Sequence, residues 1–286
     1  DAGGSWRQVS SPVSTDLATV RFAGPNVVWA VGHDAVALRS SDGGSTWERM
    51  LDGRTVLRLL RESAKGSEQL LAEIERTMGQ SATADVWPAP LLDIRFAADG
   101  LTGFAVGGFG LILQTTDGGK TWQSWQGKAD NEQRYHLYAM TGNDDAFFVA
   151  GEQGLVMRFD ADSQRFKRVV TPYNGSFFGI DQLGSKLVAF GLRGNAFVSE
   201  DAGLVWRKIE TGVDANLVGA VVHDDRVFLV SQKGDVLSVD FGTARASIYD
   251  QAPGAEVYGA AKTGSHRLAL ARLSGASVIA FPAQGK

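Results

Sequence analysis

The sequence predicts an all-β fold, a β-propeller of four-stranded blades, on three observations. An apolar, strand-like run recurs six times. A second such run follows each copy and ends at a short turn, usually marked by glycine. The distance from one turn to the next is nearly constant.

The six openings are LATVRF at Leu17, LLDIRF at Leu91, LYAMTG at Leu137, FFGIDQL at Phe177, LVGAVVH at Leu217 and VYGAAKTG at Val257. The turns that follow read VGHDA, VGGFG, AGEQG, FGLRG, VSQKG and ARLSG. From Gly107 to Gly151, Gly191, Ser231 and Arg272 the steps are 44, 40, 40 and 41 residues. Four short strands in about 40–45 residues is the period of a propeller blade. Gly32 to Gly107 is longer, 75 residues, because about 38 residues (53–90) are inserted there. Six blades follow, with seven as the alternative if the insertion were a degraded blade. The whole chain, 1–286, then reads as one propeller domain.

The ends suggest closure. SWRQVS at the start resembles a fourth strand without a preceding blade, and SVIAF near the end a third strand without a fourth. Joined, they would complete one blade and remove two open sheet edges. The insertion reads as helical. TVLRLLRE puts Val56, Leu57 and Leu60 on one side, with Gly66 suited to a C-terminal cap. SEQLLAEIERTM offers Ser67 as N-cap, Glu68 in the first turn and Leu70, Leu71, Ile74 and Met78 on one face. Prolines 88 and 90 stop it. A strap packed on the propeller and a partner-binding surface are both open readings of this pair.

A third feature is a repeated phrase: SSDGGSTWERM, TTDGGKTWQSW and SEDAGLVWRKI. It sits between third and fourth strands, at Asp42/Trp47, Asp117/Trp122 and Asp201/Trp206. Its glycines suit a tight turn, its Asp can accept turn amides, and its Trp can bury a ring between sheets. Another unit keeps only Phe166 where the Trp would stand, and a further one has lost the phrase. The phrase resembles the Asp-box, or BNR, repeat of sialidases and other propellers, which implies a scaffold element away from any ligand site.

Composition narrows the function. The chain is 44% apolar and 21% charged with a net charge of -4. It can therefore bury a sizeable core, and it lacks the basic face of a nucleic-acid binder. No apolar run is long enough to enter a membrane. With no cysteine, disulfides and thiolate metal sites are excluded.

A sialidase-like hydrolase would need three arginines, a Tyr–Glu nucleophile pair and an acid, because retaining glycosidases need two paired groups. Arg21 and Arg95 lie in first strands without the family's motif, and Tyr135, Tyr138, Tyr173, Tyr249 and Tyr258 show no evident Glu partner. His33, His136, His223 and His266 have no metal-ligand spacing. The acidic pairs Asp144–Asp145 and Asp224–Asp225 read as solvated hairpins. DADSQ at Asp160 lacks the glycine and distal Glu of a calcium loop. No catalytic residue, metal or cofactor is expected.

The Asp boxes, GEQGLVMR, GSFFGI and FGLRGNAFVSEDAG together resemble the photosystem II stability/assembly factor-like proteins. That resemblance implies a non-enzymatic scaffold outside the cytoplasm, binding a membrane protein or membrane-complex subunit, a transporter among the candidates. The chain opens at Asp1 with neither Met nor an apolar leader. The periplasmic expectation takes a signal peptide to have been removed.

The residues agree with a binding platform, since repeated turns keep their glycines and diverge in side chain. The expected partner-binding set is Arg193, Lys233, Arg272, Glu152, Gln153, His33, Tyr173 and Phe109. Arg193 leads, as a planar guanidinium suits carboxylate and aromatic partners; satisfying carbonyls around the channel is its alternative. Lys233 can equally be a solvated turn residue. Phe177 and Phe178 straddle a strand start, so one of them belongs to the core. The alternative function is a sialidase-like or glycan-binding propeller.

Overall fold

The computed structural model describes residues 5–143, 146–223, 225–251, 256–264 and 267–280. Six antiparallel sheets follow one another along the chain. The first contains β1 (Leu17–Phe22), β2 (Val28–Gly32), β3 (Ala37–Ser40) and β4 (Glu48–Leu51). Two helices follow, α1 (Gly53–Ser63) and α2 (Glu68–Met78). The second sheet has β5 (Leu91–Phe96), β6 (Gly103–Gly107), β7 (Ile112–Thr115) and β8 (Gln123–Ser124). The third has β9 (Leu137–Asn143), β10 (Ala146–Gly151), β11 (Val156–Asp160) and β12 (Arg165–Val169). The fourth has β13 (Phe177–Leu183), β14 (Lys186–Gly191), β15 (Ala196–Ser199) and β16 (Arg207–Ile209). The fifth has β17 (Leu217–His223), β18 (Arg226–Ser231), β19 (Asp235–Asp240) and β20 (Arg245–Gln251). The sixth has β21 (Val257–Lys262), β22 (Arg267–Arg272) and β23 (Gly275–Ala280). Strands pair in chain order within every sheet, the blade pattern of a six-bladed β-propeller.

One expected strand is not formed among the described residues. The sixth sheet has three strands, and residues 5–16 carry none. Pro12 offers no amide to a ladder, and Trp6 stands 65% exposed instead of wedging between sheets.

Contact density divides the chain into two compact units. One comprises Asp1–Arg7, Ala150–Val156 and Val169–Lys286; the other comprises Gln8–Val149 and Met157–Arg168. In the second unit, α1 drives Val56, Leu57 and Leu60 into a core shared with Trp29, Leu91 and Ile94. Asp52 caps α1 through the amide of Thr55 (2.9 Å), and Ser67 caps α2 through the amide of Leu70 (3.3 Å). Trp29 stacks on Phe96 at 5.2 Å and meets Trp122 edge-on at 6.0 Å. Gly103 makes room for Phe96, whose ring lies 2.6 Å from where a Cβ would sit. The third blade reverses that pair: Gly142 holds the place of Phe96 and Phe147 that of Gly103. Phe147 then packs on Phe104 at 5.2 Å. In the first unit, Val188, Phe190, Leu217, Leu229 and Leu237 form the larger cluster.

The buried carboxylate of Asp93 ties the inner strands of the first three blades together. It accepts both ends of the Arg21 guanidinium (2.8 and 2.9 Å) and the amides of Ile94 (2.8 Å) and Met140 (2.9 Å). Arg95 donates to the Met140 carbonyl at 3.1 Å. Both arginines considered for substrate binding thus serve the scaffold.

Candidate interaction site

The turns between second and third strands of the first four blades share one construction. A left-handed pair closes each: Asp34–Ala35, Phe109–Gly110, Gln153–Gly154 and Arg193–Gly194. The hydrogen bond across each runs from Val36 to His33 (3.2 Å), Leu111 to Gly108 (3.1 Å), Leu155 to Glu152 (2.9 Å) and Asn195 to Leu192 (3.2 Å). These are the mirror-image hairpin turns whose twist matches that of the strands. Three of the four carry glycine at the second position, and at Gly154 and Gly194 a close approach demands it as well as the φ. A Cβ on Gly154 would fall 1.8 Å from the Tyr173 carbonyl oxygen, and one on Gly194 1.9 Å from that of Val213.

The turns of the first, second, fourth and fifth blades are also tied to the residue that leads into the same blade. Amides of His33, Gly108, Leu192 and Gln232 donate to carbonyls of Asp16, Pro90, Ser176 and Asn216 (2.7–3.1 Å). Turn and incoming connection therefore form one rigid tip per blade, with the side chain at the turn left to vary.

In the first unit, Arg193 is exposed and its amide is fixed by Asn216 Oδ1 (3.0 Å). Tyr173 is half-buried against Phe177 (4.9 Å) and Phe197 (5.1 Å). Burial pushes its phenol pKa up, while the nearby Arg193 charge pulls it down. Arg193 and Tyr173 are thus brought together. Phe177 is the core member of its pair. Lys233 donates to Asp214 (3.1 Å), and that bond holds the carboxylate below its usual range; the pair is exposed and contributes little stability. Arg272 donates to Ser277 Oγ (2.8 Å). Gln153 is exposed and Glu152 half-buried beside it. A groove of about 360 Å³ is lined by Asp214, Ala215, Asn216, Gln232, Lys233 and Glu256.

In the second unit, His33 is exposed at its turn. Phe109 is half-buried against Trp87 (6.5 Å) and His136 (5.1 Å). Helix α2 docks beside it, with Glu73 accepting from Arg134 (3.1 and 3.2 Å). Gln126 donates to the Phe109 carbonyl at 3.2 Å. A cleft of about 240 Å³ remains there, between α2 and residues 126–134. Sequence reading did not single out Arg134 or Glu73, because their partnership spans 61 residues.

Two sequence readings need correction or limits. Tyr258 does have a glutamate partner: its hydroxyl donates at 2.9 Å to Glu256, two residues before it and just ahead of β21. That bond raises the phenol pKa and so keeps it protonated, the reverse of nucleophile activation. No arginine lines the groove that holds Glu256. Asp144, Asp145, Asp224 and His266 lie outside the described residues. Among the described residues, no His, Asp or Glu cluster could hold a metal.

The Asp boxes are turn scaffolds, closed within themselves. Asp42 accepts the amides of Ser45 (2.9 Å) and Thr46 (2.8 Å) and the hydroxyl of Thr46 (2.7 Å); Ser40 donates to it at 2.8 Å. Asp117 repeats this with Thr121 and Thr115. These bonds, the Thr hydroxyl's first, lower both carboxyls to about 2. Asp201 accepts from Ser199 (2.7 Å) and the amide of Val205 (2.9 Å). The indoles of Trp47, Trp122 and Trp206 donate to Gly44, Gly119 and Gly203 (3.0–3.1 Å).

Comparison with known proteins agrees with the resemblance read from the boxes. Residues 83–206 match the model of the family described as Photosynthesis system II assembly factor YCF48. The Photosystem II assembly lipoprotein Ycf48 of Synechococcus sp. (strain CC9902) is 23% identical over 260 residues, covering 83% of this chain and 76% of the relative. A solved structure of YCF48 bound to D1 peptide superposes with a TM-score of 0.67 at 15% identity, over 96% of this chain and 80% of that one. YCF48 from Cyanidioschyzon merolae gives 0.65 at 15% identity, over 93% and 82%. The chain is similar to this propeller family, and the structural matches carry the fold.

Proposed function

We propose that this chain, a propeller of the photosystem II assembly factor-like kind, is a non-catalytic scaffold that binds a protein subunit of a membrane complex outside the cytoplasm. The observation that carries the reading is the blade tip: one rigid turn geometry, repeated, with a different side chain on each copy. Rigid placement with variable identity is how a repeat protein builds a recognition surface. In the first unit, Arg193 beside Tyr173, together with Arg272, supplies arginine and aromatic contacts of the kind enriched at interface centres, and Lys233 adds charge suited to a rim. The similarity to proteins named as assembly factors, one of them a lipoprotein and one solved with a bound peptide, supports both the role and the compartment.

The test is a pull-down from detergent-solubilised membranes. Wild-type bait is compared with an Arg193→Ala/Lys233→Ala/Arg272→Ala variant that still melts cooperatively. A membrane protein held by wild type and lost by the variant is the expected result. Equal retention by both would move the site elsewhere, and retention by neither would sink the scaffold reading.

A further inference from the structure

The cleft beside α2 is lined by a polar group that the chain itself leaves unanswered. Trp87 is 2% exposed there, and its indole Nε1 is buried with no hydrogen-bond partner among the described residues. An indole nitrogen can only donate, so what it lacks is an acceptor. A buried tryptophan ordinarily finds one, and leaving the donor unmet costs free energy that a ligand oxygen would recover.

The neighbouring polar groups are committed elsewhere. Glu73 accepts twice from Arg134 (3.1 and 3.2 Å), whose remaining amino group goes to the Gln126 carbonyl (3.2 Å). The Gln126 amide donates to the Phe109 carbonyl (3.2 Å), and the Thr77 hydroxyl to that of Glu73 (3.1 Å). Two charges on the lining are left over. Arg76 and Glu132 are both exposed, and among the described residues neither side chain forms an ion pair or hydrogen bond. Their signs are opposite, so together they favour neither a simple anion nor a simple cation. The rest of the lining includes Leu70, Ile74 and Phe109, which meets Trp87 edge-on at 6.5 Å.

We propose that this cleft binds a small zwitterion, a free α-amino acid with an apolar side chain. Its carboxylate accepts from Arg76 and from the Trp87 N–H, its ammonium donates to Glu132, and its side chain lies against Leu70, Ile74 and Phe109. This class uses every unpaired group named. A simple carboxylate would bring an anion up to Glu132, and a simple amine would leave the indole donor unmet. At about 240 Å³ the cleft is smaller than drug-sized pockets (roughly 300–1,000 Å³), which also calls for a small occupant. The wall that yields to admit it is α2, which buries only Ile74 where α1 buries four residues. The cleft belongs to the second unit and Arg193, Lys233 and Arg272 to the first, so the site does not depend on the membrane partner.

The experiment uses the full chain, isotope-labelled, with the Trp87 indole N–H resonance followed during titration with L-leucine. Isocaproate, which lacks the ammonium, and isoamylamine, which lacks the carboxylate, are the comparison probes. Leucine is expected to shift the Trp87 indole resonance, and each comparison probe to bind about two- to five-fold more weakly, the scale of one exposed ion pair. Arg76→Gln and Glu132→Gln, both at exposed positions, each weaken leucine by a similar factor, and Glu132→Gln does so without weakening isocaproate. A Trp87 resonance that leucine leaves unmoved would overturn the proposal. So would isocaproate binding as tightly as leucine, or full leucine affinity in both variants, which would mean that Arg76 and Glu132 take no part.

Discussion

Replacing Gly194 by alanine isolates what the blade tips require. Gly194 and Gly43 have the same φ, +70°, so alanine meets the same backbone penalty at both, about 1–2 kcal/mol. Their surroundings differ. At Gly43 nothing lies within 4 Å of the added Cβ. At Gly194 that Cβ falls 1.9 Å from the Val213 oxygen and 2.8 Å from its carbonyl carbon, both backbone atoms that no rotamer change can move. Relief requires shifting residues 211–213 and loosening the bond from Thr211 Oγ1 to the Gly194 carbonyl (2.8 Å). Forced core shifts of this kind cost about 1–3 kcal/mol more. Gly194→Ala should therefore destabilise by about 2–5 kcal/mol and Gly43→Ala by about 1–2 kcal/mol. Urea unfolding followed by tryptophan fluorescence measures both, and equal slopes license comparison of midpoints. Equal midpoint shifts would refute the claim that the incoming connection dictates glycine there.

Two further outcomes follow from the boxes. Asp42 and Asp117 fall from 3.8 to about 2, so their contribution is fully present above about pH 4 and is lost as the pH drops through about 2. Thermal melts of an Asp42→Asn/Asp117→Asn variant should show a lower melting temperature near neutrality and a shallower decline in acid; a decline as steep as wild type's would exclude the boxes as its source. Val205→Thr should complete the third box, since Thr46 and Thr121 donate their hydroxyls to the box carboxylate where exposed Val205 (62%) cannot. A small gain in denaturant midpoint, with a lower Asp201 pKa by NMR titration, is expected; no change in that pKa would mean that the hydroxyl does not reach.

Much of the architecture was legible because repetition exposes it. Leu17, Leu91, Phe177, Leu217 and Val257 each open an inner strand, and each is followed by the same register shift against its neighbour. Gly32, Gly107 and Gly191 marked the period because a Cβ there would lie 2.1–2.3 Å from a carbonyl of the incoming chain. The helical insertion was readable from its spacing and from Ser67, since both are local signals. The closing strand expected at SWRQVS is not formed among the described residues, because a local likeness to a fourth strand carries no information on the pairing of distant ends. The same limit hid the bond of Arg134 to Glu73, and of Arg21 to Asp93 across 72 residues.

By itself the sequence determined the blade period, the strand order and the nature of the boxes, all set by short-range patterns repeated at one period. Only the tertiary structure decided which side chains meet. It placed Tyr173 beside Arg193, turned Phe109 toward α2, and consumed Arg21 and Arg95 in scaffold bonds. The reason is physical: hydrogen bonds between distant segments and the filling of one blade by its neighbour depend on coordinates that no local spacing encodes.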